Sequence, residues 1–238
     1  MKLALPPVSV FEWRRCLSAR STRWILGLIV LAGVGVGVQG LATGAPGSFL
    51  SGAVGHVGQA GILAAALGAV AIGSEFRWNT VRSLFITFPR RYDILVAKIA
   101  VVAGLVAAAS LVASVVGGAL SFVHRGADES VLDWLGLSVR AVLVLTCWAV
   151  IGFALAGLAK STIVGVALPL AIAFIVETIL IQTTQSEILA NLLPFYNASR
   201  AVSVDVAAGE AYEHLAVFGA LALLCFGLCL LAVGRRDA

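Results

Sequence analysis

The chain has 238 residues, 61% of them hydrophobic and only 12% charged, with a formal net charge of +4 and a mean hydropathy of +1.04. A soluble domain carries about 25% charged residues, so a fully aqueous surround is excluded and lipid is the solvent for much of this chain. The composition predicts an all-α integral membrane protein, folded as a single transmembrane domain over 1–238.

The first predicted element, residues 8–23, is a basic helix ahead of any span. Val10, Trp13, Leu17 and Trp24 fall on one stripe, with Arg15 and Arg23 away from it, as in a helix lying on a membrane surface. The first apolar run begins at Trp24, too far in for a cleavable leader and with no small-residue cleavage site before a soluble domain. It is expected to be retained as a span. A helical span needs about 20 mostly apolar residues, and six runs qualify: 24–43, 57–73, 95–123, 134–159, 162–181 and 215–233. The second is near the short limit, and the third is long enough to tilt or overhang. Within the first, Gly33 and Gly37 make one GxxxG step that lets another helix approach closely. The same span contains GVGVQG (Gly35 to Gly40), which satisfies GxGxxG, but a nucleotide fingerprint needs a preceding strand and is rejected here.

Six crossings put both termini on one side. Thirteen of the sixteen Lys and Arg residues fall there: Lys2, Arg14, Arg15, Arg20, Arg23, Arg77, Arg82, Arg90, Arg91, Lys98, Lys160, Arg235 and Arg236. Short cytoplasmic segments are enriched in basic residues, so both termini are expected in the cytoplasm. The composition is that of a high-GC bacterium, which places the chain in a bacterial plasma (inner) membrane.

Residues 74–92 interrupt the apolar chain between spans two and three. Val81, Leu84, Phe85 and Phe88 are spaced i, i+3, i+4, i+7, one face of an amphipathic helix. Ser74 and Glu75 are read as its start, with an acid in the first turn, and Pro89 as its end. A helix this short cannot span. It can rest on lipid, dock a cytoplasmic partner or bind an anionic substrate, and periodicity by itself favours the first.

Spans four and five meet at the tight turn Lys160–Ser161, so they are antiparallel neighbours. Arg140 and Glu177 are read as the opposite charges placed within spans. At about 1.5 Å per residue they lie roughly 30 and 26 Å from that turn, close enough to pair in the outer leaflet. The alternative is that Arg140 snorkels outward and Glu177 faces an outer vestibule. The outer loop 182–214 contains ILANLLPFY, too short to cross, broken by Pro194. Asn197 heads an NAS tripeptide, taken as a chance match to a glycosylation acceptor. Trp148, mid-span, is expected to pack on a neighbouring helix.

Chemistry-bearing motifs are absent. The histidines, His56, His124 and His214, all fall near outer span ends, and no HExxH, CxxC, GxSxG or GxxxxGK[ST] occurs. The four cysteines, Cys16, Cys147, Cys225 and Cys229, read as small hydrophobes. No catalytic, cofactor-binding or metal-binding residue is assigned, and no nucleic-acid partner is expected.

Thr80, Arg82, Pro89, Arg91 and Lys98, after a second span, resemble the "G-T-x-[KR]…P-x-x-R…K" stretch of the permease subunit of type-2 ABC transporters, with Asn79 where the family has Gly. Span number, termini and late outer loop agree across nearly the whole chain. The resemblance implies that residues 8–23 are an elbow helix and that 74–92 contains a coupling helix. That helix would dock an ATP-binding subunit through Glu75, Thr80, Val81, Arg82, Leu84, Phe85, Phe88 and Arg91. It further implies that short re-entrant helices around Pro194, Phe195 and Tyr196 lid the pathway. The expected function is the permease half of an exporter for a hydrophobic or amphipathic substrate. Two ATP-binding subunits would carry ATP and Mg, and a second permease chain would complete a homodimer or heterodimer. Two rivals remain: a stand-alone secondary carrier, for which only Glu177 is a candidate in-span acid, and a non-transporting membrane scaffold.

Overall fold

The computed structural model describes residues 8–43, 49–78, 80, 91–125, 130–184 and 186–235. Among these the secondary structure is helical throughout. Helix α1 (Val8–Ser18) precedes α2 (Arg20–Thr43). Helix α3 (Phe49–Val54) leads into α4 (Val57–Arg77), and α5 covers Arg91–Arg125. Then come α6 (Val131–Ala159), α7 (Thr162–Ala171), a π-helical turn at Ile172–Val176 and α8 (Glu177–Thr184). The chain closes with α9 (Glu187–Leu192), α10 (Pro194–Ala201) and α11 (Ala208–Arg235).

Among the described residues, six helical stretches are long and apolar enough to cross a membrane: Arg20–Gln39, Leu50–Arg77, Tyr92–Phe122, Val131–Ala159, Thr162–Thr184 and Ala208–Val233. The chain is therefore read as a multi-pass membrane protein. Each stretch matches one predicted span, most of them with longer ends; the first and third stop at Gln39 and Phe122, short of the predicted 43 and 123. One difference, at α4, bears on the site. The predicted span stops at Gly73, but the helix runs on through Ser74 and Glu75 to Arg77. No breaker stands in Gly73–Arg77, and the Glu75 carboxylate has counter-charges waiting for it. Ser74–Glu75 is thus the last turn of a span and not the start of a surface helix. The basic leading helix is also shorter than predicted, breaking at Ala19, so that α2 starts before Trp24.

Small residues set the packing. A Cβ added to Gly33 would stand 2.6 Å from the Ala113 carbonyl oxygen, and one on Gly37 2.8 Å from Leu120 Cβ, so both glycines lie in the α2–α5 seam. Gly68 of α4 and Gly152 of α6 press onto the backbone of Ala149 and Ala65, with no room for a side chain. Without a hydrophobic drive between helices in lipid, such close backbone approach supplies the van der Waals contact that holds them.

The turns have identifiable causes. Lys160 takes the left-handed conformation (φ 54°) and closes α6, and the Ser161 hydroxyl accepts from the Val164 amide at 3.5 Å to start α7. Pro169 lies inside α7, just before the π-helical turn. A ring without an N–H disrupts the ladder, and a π-bulge is one way to re-pair it. The alternation of spans gathers the start of α2, the end of α4, the start of α5 and the α6–α7 turn at one end, called here the α1 end. Helices α9 and α10 lie at the other, the α10 end.

Candidate functional site

Two assemblies of buried polar groups stand out, one at each end of the bundle. At the α1 end, Lys98 of α5 is only 2% exposed, and Glu12 of α1 and Glu75 of α4 only 1%. Lys98 Nζ donates to Glu12 Oε2 at 2.8 Å and to Glu75 Oε1 at 3.1 Å. Arg15 Nη2 reaches Glu75 Oε1 at 2.5 Å, and Arg15 Nη1 stands 3.9 Å from Glu12 Oε1. The Thr80 hydroxyl donates to the other Glu75 oxygen, and the Thr80 amide to the Glu75 carbonyl at 3.0 Å. Two acids and two bases sum to zero. A buried ion would cost several kcal/mol, and here each has an opposite charge beside it. The cluster joins residues far apart in sequence, and so ties α1, α4 and α5 into one unit.

Helix α1 sits on this cluster in an inverted sense. Its apolar stripe, Val10, Trp13 and Leu17, faces out of the protein and its acid, Glu12, faces in. That is the orientation of a helix with its greasy side toward lipid. Trp24 and Trp78, 74% and 70% exposed, and Tyr92 lie at the same end, where interfacial aromatics concentrate.

At the α10 end, Arg140 and Glu177 do not pair, contrary to the sequence expectation. Each takes an end of the same eight-residue helix instead. Glu177 Oε1 accepts from the Phe195 amide at 3.1 Å, and Oε2 from the Tyr196 amide at 2.7 Å, at the N-terminus of α10. Arg140 Nη1 donates to the carbonyl of Ala201, the last residue of α10, at 3.2 Å, and its guanidinium lies 6.0 Å from the Tyr212 ring centre. A helix N-terminus has orphan amides and favours an anion, and a C-terminus has orphan carbonyls and favours a cation. The depth estimate placed both side chains at one level, but it could not show that a folded-back helix comes between them.

Helix α10 is held in other ways too. Phe195 packs on Trp148 of α6 and Phe218 of α11, with ring centres 4.6 and 5.6 Å away. Asn197 is buried, and its amide nitrogen donates to the carbonyls of Asn191 and Leu193 at 2.9 and 2.7 Å. Its oxygen is thereby left to accept from His214 Nδ1. An asparagine used in this way is not an accessible glycosylation site. Pro194 opens α10 at its first turn, where its missing N–H is not needed. An open cleft of about 370 Å³ runs beside this helix, lined by Val57, Trp148, Phe174, Glu177 and Tyr196 among others.

The docking residues are only partly placed. Glu75 faces the buried cluster and not a free surface. Thr80 joins that cluster. Val81, Arg82, Leu84, Phe85 and Phe88 lie outside the described residues, and Arg91 is the first residue of α5. Sequence reading missed Glu12 altogether. The available signal was an acid three residues before Arg15 on an otherwise basic helix, a spacing that shares a helix face. No group of three or more His, Cys, Asp or Glu able to hold a metal occurs among the described residues. No family model matches the sequence, and no curated protein matches it, so the arrangement is interpreted from its own geometry.

Proposed function

We propose that the chain is the membrane-spanning permease subunit of an ATP-driven exporter of the type-2 ABC kind, set in the bacterial plasma membrane with both termini in the cytoplasm. Segment 74–92 is its coupling region. Separate ATP-binding subunits dock there and carry the ATP and Mg, and a second permease chain completes the pathway for a hydrophobic or amphipathic substrate. The observation that supports this most is the cluster of Glu12, Arg15, Glu75 and Lys98, with Thr80 bonded to it. Thr80, at one side of the proposed coupling segment, is bonded to this cluster, and α5, which begins at Arg91 on its other side, supplies Lys98 to it. A push on that segment would therefore be delivered to α1, α4 and α5 together, which is what a coupling element requires.

Glu177 also bears on the rival carrier reading. A proton- or sodium-driven carrier needs an in-span acid free to exchange its ion. Both Glu177 oxygens already hold backbone amides, which favours a positional role for this acid.

The test is co-purification of the tagged full-length chain from its native membrane, with ATP hydrolysis as the readout. An associated ATPase is expected. Phe85→Ala with Phe88→Ala should release it, since truncating an interface anchor typically costs about 2 kcal/mol or more. A chain that carries flux alone, or a double variant that keeps its ATPase at the wild-type ratio, overturns the reading.

A further inference from the structure

The open cleft beside α10, about 370 Å³, is walled mostly by membrane spans. Val57 and Gly58 come from the start of α4, Val144 and Trp148 from α6, and Ala173, Phe174 and Thr178 from the π-helical turn and α8. Helix α10 closes it with Tyr196 and Ser199. Val57, Val144 and Trp148 are buried and lie behind the surface of the cleft. Gly58, Phe174, Thr178 and Ser199 are exposed, and Ala173 and Tyr196 half-buried, so these are the residues an occupant can touch. The neighbours of Phe174 on the same span, Ile175, Val176 and Ile179, are exposed and apolar. The medium at the mouth is therefore lipid hydrocarbon and not water.

The chemistry of the lining narrows the occupant. Among the described lining residues only Glu177 is charged. It is buried, and its two oxygens already accept from the Phe195 and Tyr196 amides. The Ser199 hydroxyl donates to the Tyr196 carbonyl at 2.7 Å. A water held in a cavity needs about two to four polar partners, and a charged ligand needs a counter-charge. The cleft presents neither. It presents apolar surface, and its volume lies in the range of sites that hold one small ligand. Left empty, such a space costs its lining the dispersion contacts that a filling group would restore. An acyl chain is apolar, uncharged and flexible enough to follow the walls, and it is the molecule present at the mouth in bulk.

We propose that this cleft binds one acyl chain of a bilayer phospholipid, lodged between Gly58 of α4 and Phe174 of the π-helical turn and resting against Tyr196 and Ser199 of α10. With no accessible charge in the lining, the site takes the chain and is indifferent to the head group. The chain packs on α10 from the membrane side, and so links the seating of that helix to the surrounding lipid. This does not depend on the transport reading.

The full-length chain is reconstituted in vesicles carrying a trace of phosphatidylcholine, or of phosphatidylglycerol, with a diazirine midway along one acyl chain. The vesicles are irradiated and the label is mapped by peptide mass spectrometry. Label is expected on Tyr196–Val202 of α10 as strongly as on Leu223 and Leu224 of α11, which are exposed on a span outside the cleft, and equally with both head groups. A Cβ on Gly58 would meet nothing within 4 Å. Gly58→Ala should therefore leave the cleft open and label as wild type. Gly58→Phe fills the cleft, and should lose the label on α10 while keeping it on Leu223 and Leu224. Ser199→Phe enters from the opposite wall and should give the same loss, which keeps the test decisive if Gly58→Phe fails to fold. Absence of label from α10, unchanged labelling of α10 in the filled variants, or labelling with only one of the two head groups each overturns the proposal.

Discussion

The clamp on α10 makes a prediction that separates it from a direct ion pair. Removing the Glu177 carboxylate by Glu177→Ala deletes two hydrogen bonds at the start of the helix, from the Phe195 and Tyr196 amides. Bonds to a charged group contribute about 1.5–3 kcal/mol each. The lower figure applies to both, because Tyr196 is half-buried and water can replace part of what it loses. The expected cost is about 3 kcal/mol, felt locally as undocking of α10. A change of about 3 kcal/mol is roughly a hundredfold in an opening equilibrium. Hydrogen exchange followed by mass spectrometry, on a peptide covering 187–201, should therefore show the α10 amides exchanging about a hundredfold faster. Arg140→Ala removes one bond at the other end and should cost about 1.5–2 kcal/mol. Because one short helix carries both contacts, once it has undocked from Glu177 there is little left for Arg140 to lose. The double variant should then cost about as much as Glu177→Ala alone, a coupling of about 1.5–2 kcal/mol between side chains that do not touch. Additive losses, or unchanged exchange of the Phe195 and Tyr196 amides in Glu177→Ala, would refute the clamp.

The other expectations are simpler. Lys98→Ala leaves two buried carboxylates with Arg15 alone, and should lower stability in detergent by about 3–5 kcal/mol. Lys98→Met combined with Glu12→Gln and Glu75→Gln should recover much of that loss in thermal unfolding. Gly68→Val drives a side chain into the backbone of α6 and should prevent recovery of a monodisperse protein on gel filtration, whereas Gly104→Ala, with nothing within 4 Å of the new Cβ, should behave as wild type. Burial raises the Cys16 thiol above its ordinary range, partly offset by Lys98. The reactive species is the thiolate, so maleimide labelling at Cys16 should be slower than for an exposed cysteine at neutral pH and should keep rising at pH values where the exposed one has levelled off.

The spans were legible because their signal is local. About 20 apolar residues in a row declare themselves whatever surrounds them, and the ends differ only where polar residues continue a helix past its greasy part, as Ser74 to Arg77 do. The break at Pro194 was equally local. What the sequence hid was long-range. Glu12, Glu75 and Lys98 are separated by 63 and 23 positions, and nothing in spacing tells an acid at the end of a span that a lysine from the next one is beside it. Arg140 and Glu177 are the instructive case. Both charges call for partners, and the sequence offers each other, lipid headgroups or an outer vestibule. The partners turned out to be backbone, supplied by a helix whose existence was predicted but whose position was not.

The two ends of the bundle therefore satisfy buried charge in different ways, and the difference has a mechanical consequence. At the α1 end, ions meet ions carried on three separate helices. Opening that cluster would expose or orphan four charges at once, so the start of α5, the end of α4 and α1 should move as one body. At the α10 end, two ions meet the termini of a single eight-residue helix through three hydrogen bonds. Releasing that helix orphans those three contacts, parts Asn197 from His214 and unpacks Phe195 from Trp148 and Phe218, but leaves the long helices intact. Glu177 also sits immediately after the π-helical turn and eight residues after Pro169, where the span is least tightly laddered and bends most readily. A shift at that turn would carry the carboxylate away from the Phe195 and Tyr196 amides. The bundle is built stiff at the end where the proposed partner would push, and releasable at the end where a pathway between spans would have to open.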